Sequence, residues 1–422
     1  SAGKIHASAS IPLWSEENGL IEGSVLQVDL ETLRKFVNFP VSGSGSGFFK
    51  VDLQTRNLAS SSYEFDFDLK NSHIAAFQPE IIRGRIFGSG NQWKIENPSA
   101  EFSDGGLIEL NGVVSPELLK ADVLVENVDL KNFAVPQRIV SGSAFLKASI
   151  SGSFADPQVS GEVWGSGLQI FSRDISSVKA QIQLQNHLLD LSPMVIIPQQ
   201  EGMIDGFYSF NLENGETRSF KLNFQKLGVD FIGGFFPGVS AKEGLVGKVA
   251  GSISFKKQQN DDHWDFLIDG GSLNLYDQYI DSLFLEGSII GGQGEIRNLF
   301  VRSAGGTLNV IGQVLGPERF DGSIEVEDIR LEKVSYLSSI LPGLHGQLDM
   351  QGNLEWEGAE KKGYFTLFGE KIMANQRELG NLGAEVEVDN AGMKIIKAEF
   401  DRLGVALEGK VLWQGKKDYE AD

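Results

Sequence analysis

The sequence predicts an all-β protein: a long, twisted antiparallel sheet curled into an open trough, with one short amphipathic helix in some of its repeats. Two observations predict this fold class. Apolar and polar residues alternate with a period of two along many segments, which is typical of strands with one buried face. Glycine accounts for 50 of 422 residues, and clusters of Gly, Asn and Asp between the alternating segments indicate frequent tight turns.

The alternation is clearest in residues 63–69, 181–185, 220–224, 324–327 and 385–389. Strict alternation places the apolar side chains of a strand on one face of the sheet and the polar side chains on the other. A parallel sheet between helices has continuously apolar strands instead. We therefore expect an antiparallel sheet with one solvated face.

The apolar residues of these segments are the candidates for a functional surface. A sheet of this length needs a cover for its apolar face, either more sheet in a sandwich or barrel, or its own curvature in a trough. We predict the trough, whose groove is then lined by Phe65, Phe67, Leu69, Ile182, Leu184, Phe220, Leu222, Phe224, Ile324, Val326, Val386 and Val388.

Helical periodicity is confined to two segments. Residues 30–37 and 331–341 carry apolar residues at the spacing of an amphipathic helix, and each segment stops near a proline, Pro40 or Pro342. Because proline disfavours helical backbone in the residue before it, we expect two short helices that plug or brace the trough.

An internal repeat of about one hundred residues organises the chain. Residues 23–30 and 322–329 share glycine, serine and apolar positions at an offset of 299 residues. Four aspartates recur at separations of 100, 101 and 98 residues: Asp29, Asp129, Asp230 and Asp328. Asp29, Asp129 and Asp328 are expected to accept hydrogen bonds from free backbone N–H groups before a helix or tight connection. We predict four modules of one continuous sheet, residues 1–119, 120–220, 221–319 and 320–422.

Composition excludes several classes of partner and chemistry. Lys and Arg total 37 against 57 for Asp and Glu, a net charge of −20, which argues against nucleic acid and anionic membrane surfaces. The absence of cysteine excludes disulfides and thiolate chemistry. No apolar run reaches the roughly 18 residues of a membrane helix. We read the chain as a fragment of a longer protein, and the Ser/Gly alternation at 42–47 as a native loop rather than an engineered linker.

No active site is expected. The five histidines form no metal-binding pattern, and no phosphate-binding loop or catalytic constellation is present. The sequence therefore predicts a non-enzyme without catalytic residues, bound metal or cofactor.

Three short sequence motifs resemble those of a known family. The first motif, residues 150–163, is a strand followed by Gly, Asp-Pro and a further strand that begins after Gly. In the second motif, residues 379–388, Leu-Gly precedes an alternating strand. The third motif, residues 346–354, follows the same pattern of glycines and alternating residues. These motifs resemble the AsmA-like family of bridge-like lipid transfer proteins, and in particular its TamB-type members.

The resemblance implies a periplasmic β-trough that conducts phospholipids between the inner and outer membranes along an apolar groove. It also implies an inner-membrane anchor outside this chain and an outer-membrane β-barrel partner. Phospholipid acyl chains are then the expected ligand.

Three other functional hypotheses are alternatives to lipid transfer. A structural or adhesive β-solenoid would have a filled core and a closed cross-section. A polysaccharide-active β-helix enzyme would need a strip of carboxylates with basic residues, which we do not find. A scaffold for the assembly of outer-membrane β-barrel proteins would use the same apolar face, and the sequence alone does not separate it from a lipid conduit.

Overall fold

The structure is a computed structural model. It describes residues 3–412 apart from 13–17, 32–40, 55–56, 58–59, 75–77, 91, 116, 131–139, 154, 171–172, 230, 232–244, 259–260, 276–277, 317–318, 359, 391 and 403–404. Strands account for 82% of the described residues and helices for 4%, which confirms the predicted all-β class.

The chain divides into two compact units, Ser1–Gln200 with Asp205–Thr217, and Glu201–Ile204 with Arg218–Asp422. Strands of the first unit are β1 (Lys4–Ser10), β2 (Gly19–Asp29), β3 (Val41–Leu53), β4 (Ser62–Ile74), β5 (Ile81–Ser89), β6 (Gln92–Glu101), β7 (Leu107–Val114), β8 (Leu119–Asp129), β9 (Val140–Gly152), β10 (Pro157–Ile170), β11 (Arg173–Gln185) and β12 (Leu188–Pro198). The next strand, β13 (Met203–Asn211), lies at the division between the units.

Strands of the second unit are β14 (Glu216–Gly228), β15 (Leu245–Gln258), β16 (Asp261–Leu275), β17 (Gln278–Ile290), β18 (Gln293–Ser303), β19 (Gly306–Gly316), β20 (Arg319–Arg330), β21 (Leu344–Glu357), β22 (Glu360–Ala374), β23 (Arg377–Val388), β24 (Gly392–Phe400) and β25 (Val405–Leu412).

All 25 strands belong to one antiparallel sheet that is not closed into a barrel. Each strand from β1 to β12 pairs with its neighbour in the chain. The strands from β14 to β25 do the same. This simple up-and-down order confirms the predicted antiparallel sheet.

The sheet leaves much of its surface uncovered. The accessible surface of the whole chain is 26019 Å², whereas a compact monomer of this mass exposes about 16,000 Å². Among the described residues every strand is part of the single sheet, so no separate second sheet covers the apolar side chains.

The helix predicted at 331–341 is confirmed, in two pieces. A 3-10 turn covers Leu331–Lys333, and the α-helix α1 covers Ser335–Ile340. The helix predicted at 30–37 lies mostly outside the described residues, which include only Leu30 and Glu31 of it. Residues 42–47, expected to form a loop, instead lie within β3. Their glycines Gly45 and Gly47 pair with Leu69 and Phe67, and a glycine leaves room for these larger side chains.

The repeat has a structural counterpart in the backbone. Four residues other than glycine adopt the left-handed conformation within a β-bulge at nearly constant separation: Gln27 (φ 51°), Asn127 (φ 50°), Lys226 (φ 51°) and Asp328 (φ 59°). They lie on β2, β8, β14 and β20, each beside a register shift. The local structural repeat is therefore six strands long. The four module boundaries remain a prediction.

The expected role of the repeat aspartates holds for Asp29 and is wrong for Asp328. The Asp29 carboxylate accepts a hydrogen bond from the backbone N–H of Glu31 at 2.9 Å. Asp328 instead aligns with Gln27, an offset of 301 residues, and its carboxylate accepts a hydrogen bond from the Gln347 side chain. The alignment of the repeats by sequence, which matched Asp29 with Asp328, was shifted by two residues. The repeated structural feature is the bulge residue and not the aspartate. Asp230 lies outside the described residues.

Candidate functional site

The register of the second unit aligns apolar residues into rows that cross its strands. One row contains a single residue from each strand between β14 and β24: Phe224, Gly251, Ile268, Leu285, Leu299, Val310, Ile324, Gly352, Phe365, Val386 and Ile395. Strands lie about 4.8 Å apart, so this row is roughly 48 Å long without a polar side chain.

Two further rows of the second unit are equally unbroken from β14 to β24. One is Leu222, Ile253, Phe266, Gly287, Ile296, Gly312, Gly322, Leu354, Gly363, Val388 and Met393. The other is Leu227, Val249, Gly270, Leu283, Val301, Leu308, Val326, Met350, Leu367, Ala384 and Ala398.

A fourth row is aromatic at both ends and runs from β14 to β21: Phe220, Phe255, Trp264, Ile289, Gly294, Val314, Phe320 and Trp356. Its first three rings contact one another, with centroids 4.8 to 5.7 Å apart. The side of the sheet that carries these four rows is called the apolar face of the second unit.

The first unit has an apolar face of the same kind. One row crosses β2 to β12: Val28, Gly45, Leu69, Ile82, Ala100, Ile108, Val125, Leu146, Val163, Ala180 and Met194. Another crosses β1 to β8: Ala7, Gly23, Phe49, Phe65, Ile86, Ile95, Val114 and Leu119.

The structure places all twelve groove candidates on these two faces. Phe65, Phe67, Leu69, Ile182 and Leu184 lie on the first, and the other seven lie on the second. Pairing brings Phe224, Ile324 and Val386 into a single row. Only Phe224 and Val386 are buried, at 4% and 6% exposure. The other ten are half-buried.

Several members of the apolar face were not predicted from the sequence, among them Phe266, Leu285, Ile289, Ile296 and Val314. The segment from Trp264 to Gly270 does alternate, but Leu267 interrupts the pattern because it lies exposed on the opposite face. A search that tolerates one apolar residue on the polar face would have found β16.

Glycines on the apolar face make room for aromatic rings. Phe67 pairs with Gly84, and a Cβ placed on Gly84 would lie 2.6 Å from Cζ of Phe67. Phe266 pairs with Gly287 in the same way, also at 2.6 Å. Rings packed over glycine on the next strand shield the backbone there, and the abundance of glycine follows in part from this packing.

A pocket of about 450 Å³ lies on the apolar face of the second unit. Six residues of that face line it: Phe266, Leu285, Ile289, Gly294, Ile296 and Val314. Ser288, Gly292 and Glu295 complete the lining. An apolar pocket of this kind favours an apolar ligand.

A larger pocket, about 650 Å³, lies at one end of β3 to β7 in the first unit. Most of its lining comes from the opposite, polar face, including Lys50, Glu64, Phe87 and Lys94. Lys94 is already 2.7 Å from Glu96 and lies over the Phe87 ring at 5.2 Å. The charge of Lys94 is thus paired within the sheet, and we assign no ligand to this pocket.

Ion pairs cover the polar face. On β4 to β6, Arg83 pairs with Glu101 at 2.6 Å and with Asp68 at 3.5 Å. The Arg85 guanidinium donates to the Asp66 carboxylate, and this hydrogen bond raises the pKa of Arg85. Such pairs lie across neighbouring strands, where opposite charges favour the register.

The chain matches no protein-family model, no curated protein and no solved structure. The resemblance to AsmA-like proteins therefore rests on the sequence motifs alone. In the part of the chain that the structure describes, no helix is long and apolar enough to cross a membrane. The same residues contain no group of three or more side chains placed to hold a metal ion.

Proposed function

We propose that this chain binds the acyl chains of phospholipids on its apolar faces and conducts them between membranes, without catalysing a reaction. The observation that carries the proposal is the unbroken row from Phe224 to Ile395, whose side chains are apolar or absent on eleven successive strands.

The energetics of an acyl chain suit such a surface. Each methylene gains about 0.8 kcal/mol on leaving water, so a sixteen-carbon chain is stabilised by roughly 13 kcal/mol when covered. A continuous apolar row removes the cost of exposure at every step, and a row without polar interruptions offers no point at which the chain must return to water.

Partial exposure favours a conduit over a filled core. In a packed solenoid the side chains of the inner face are fully buried. Here ten of the twelve groove candidates are half-buried, so apolar surface is left for a ligand to cover. The envelope location, the inner-membrane anchor and the outer-membrane barrel partner rest on the resemblance alone and belong to the proposal.

Two tryptophans provide a direct test. Trp264 lies on the apolar face, in the row of Phe220. Trp164 lies on the polar face, where it stacks on Phe145 at 5.3 Å. Both are half-buried. We would compare two variants. One keeps only Trp264 and the other keeps only Trp164, and in each the remaining five of the six tryptophans are changed to phenylalanine.

The probe is phosphatidylcholine that carries a nitroxide on one acyl chain. We expect it to quench Trp264 and leave Trp164 unchanged, while the water-soluble quencher acrylamide reaches both. No quenching, or equal quenching of the two residues, would overturn the proposal. Displacement of the lipid by an unfolded outer-membrane barrel protein at lower concentration than by unlabelled lipid would favour the scaffold function instead.

A further inference from the structure

We propose that the chain cleaves its own backbone at the peptide bond between Asp156 and Pro157, with the carboxyl group of Asp156 as the nucleophile. The bond lies at the turn between β9 and β10 of the first unit. It is the only Asp–Pro bond in the sequence. This processing acts once on each chain, and it goes beyond the proposed lipid binding.

Ser153 holds the backbone of Asp156 on both sides of its Cα. The backbone N–H of Asp156 donates to Oγ of Ser153 at 3.2 Å, and the carbonyl oxygen of Asp156 accepts from the backbone N–H of Ser153 at 3.4 Å. In many turns the carboxylate of an aspartate accepts such a backbone N–H. Here the serine hydroxyl has that role, so the turn is held in place by Ser153.

One oxygen of the Asp156 carboxyl group is left without a partner. Oδ1 is shielded from solvent and has no hydrogen-bond partner among the described residues, although the residue as a whole is half-buried. Buried polar atoms without a partner are rare in folded proteins, and each calls for an explanation. An oxygen that neither water nor an N–H group occupies keeps its lone pairs for attack on a nearby electrophile.

The electrophile is the backbone carbonyl carbon of Asp156 itself. Attack by its own side chain closes a five-membered ring, and the backbone N–H of Ser153 points at the carbonyl oxygen on which negative charge develops. Pro157 makes the bond a tertiary amide. Its nitrogen carries no hydrogen and departs as a secondary amine once it has taken up a proton.

The reaction needs water as its only co-reactant. The neutral carboxyl group forms a bond from Oδ1 to the carbonyl carbon, the bond from that carbon to the Pro157 nitrogen breaks, and the carboxyl proton moves to that nitrogen. This step leaves a cyclic anhydride at Asp156 and a second chain that begins with the amine of Pro157. Water then opens the anhydride to two carboxyl groups on Asp156, and no atom is oxidised or reduced.

The sheet holds the two fragments together after the cut. β9 and β10 pair from Gly152 with Pro157 to Val140 with Ile170, and the rows of the apolar face cross between these strands through that pairing and not through the turn. Residues 1–156 and 157–422 therefore stay associated until the protein unfolds. Lipid binding should survive the cut, so the proposed function and the cleavage can fail independently.

The test compares the folded protein with the same chain unfolded in urea, both kept at the same mildly acidic pH and temperature. Mass spectrometry of denatured samples measures fragments 1–156 and 157–422, and circular dichroism verifies that the folded sample keeps its strands. We expect the cut to accumulate about tenfold faster in the folded protein, because the turn holds the carboxyl group beside the bond. Equal rates would show only the ordinary acid lability of an Asp–Pro bond and would overturn the proposal, as would a folded protein that is not cut.

Asp156→Glu is the matched control, because it keeps a carboxyl group and the proline but enlarges the ring formed on attack by one atom. In the folded state we expect cleavage about tenfold slower in Asp156→Glu and none in Asp156→Ala. A cut at this bond in folded Asp156→Ala would exclude the side chain as the nucleophile. Should a variant not fold, the comparison of the folded and unfolded unaltered protein still decides. Quenching of Trp264 by the labelled lipid tests the proposed function separately.

Discussion

The Phe67 ring lies over Gly84 on the neighbouring strand, so close that a Cβ on Gly84 would lie 2.6 Å from Cζ of the ring. The two residues form one cross-strand pair on the apolar face of the first unit. Each is unremarkable in the sequence, and only their pairing explains why the position opposite a phenylalanine has no side chain.

Gly84→Ala should force the Phe67 ring out of its place. We expect a loss of about 1–3 kcal/mol in the free energy of unfolding, as for other overpacked positions. Gly383→Ala is the control, because a Cβ at Gly383 meets nothing within 4 Å. Urea unfolding of the two variants measures the difference, and equal stability would show that the ring moves at no cost.

The left-handed bulge residues provide a second prediction. Lys226 is exposed and has φ 51°, a conformation that costs a β-branched residue about 1–2 kcal/mol. Lys226→Val should lower the stability of the second unit by about this amount, and Lys226→Gly should not. Lys221→Val, on the same strand with ordinary backbone, should be neutral in the same thermal unfolding measurement. A neutral Lys226→Val would exclude the bulge as a fixed element.

Asp29 is expected to stabilise the end of β2 without contacting lipid. Asp29→Ala removes the acceptor for the Glu31 N–H and should cost about 1 kcal/mol. Asp29→Asn retains an acceptor and should restore most of this stability. Lipid binding, followed with the nitroxide-labelled phosphatidylcholine, should be the same in all three proteins, and its loss in a stable Asp29→Ala would contradict the assignment.

A charge on the apolar face should act differently at neighbouring positions. Phe224 is 4% exposed, so Phe224→Asp places an unpaired carboxylate in a dry environment and should cost several kcal/mol. Because Phe224 is buried, a carboxylate at this position has no path to water along an open groove. Leu222 is half-buried, and Leu222→Asp should fold and lose lipid. Urea unfolding and quenching of Trp264 by the labelled lipid measure the two effects.

One exposed ion pair of the second unit gives a prediction for the titration of Glu201. The Glu201 carboxylate accepts a hydrogen bond from Lys248, and this lowers the pKa of Glu201 below its ordinary value. Because the pKa is lower in the folded state, the stabilisation is fully present above the ordinary pKa and is lost as the pH falls through the folded value. NMR titration should show a depressed Glu201 midpoint that returns to normal in Lys248→Gln. An unchanged midpoint would mean that the pair does not form in solution.

The alternation of residues such as Phe65, Phe67 and Leu69 was enough to predict the antiparallel sheet and the face on which each side chain lies, because successive side chains of a strand point to opposite sides. The helix at 331–341 was equally readable from its spacing. The sequence could not show that Ser/Gly residues 42–47 form a strand, since their glycines are explained only by Leu69 and Phe67 on the next strand.

What the sequence determined by itself is therefore local: the strand, its two faces and the approximate repeat. Tertiary structure alone decided which residues of distant segments meet. Phe224, Ile324 and Val386 share one row because hairpin lengths and bulges fix the register of every intervening pair. The pocket around Ile289 and Gly294 likewise exists only once four strands are aligned. The register between distant strands is the sum of the registers of all the pairs between them. A bulge changes that sum by adding one residue to a strand, and the alternation of apolar and polar residues on either side of the bulge does not reveal it.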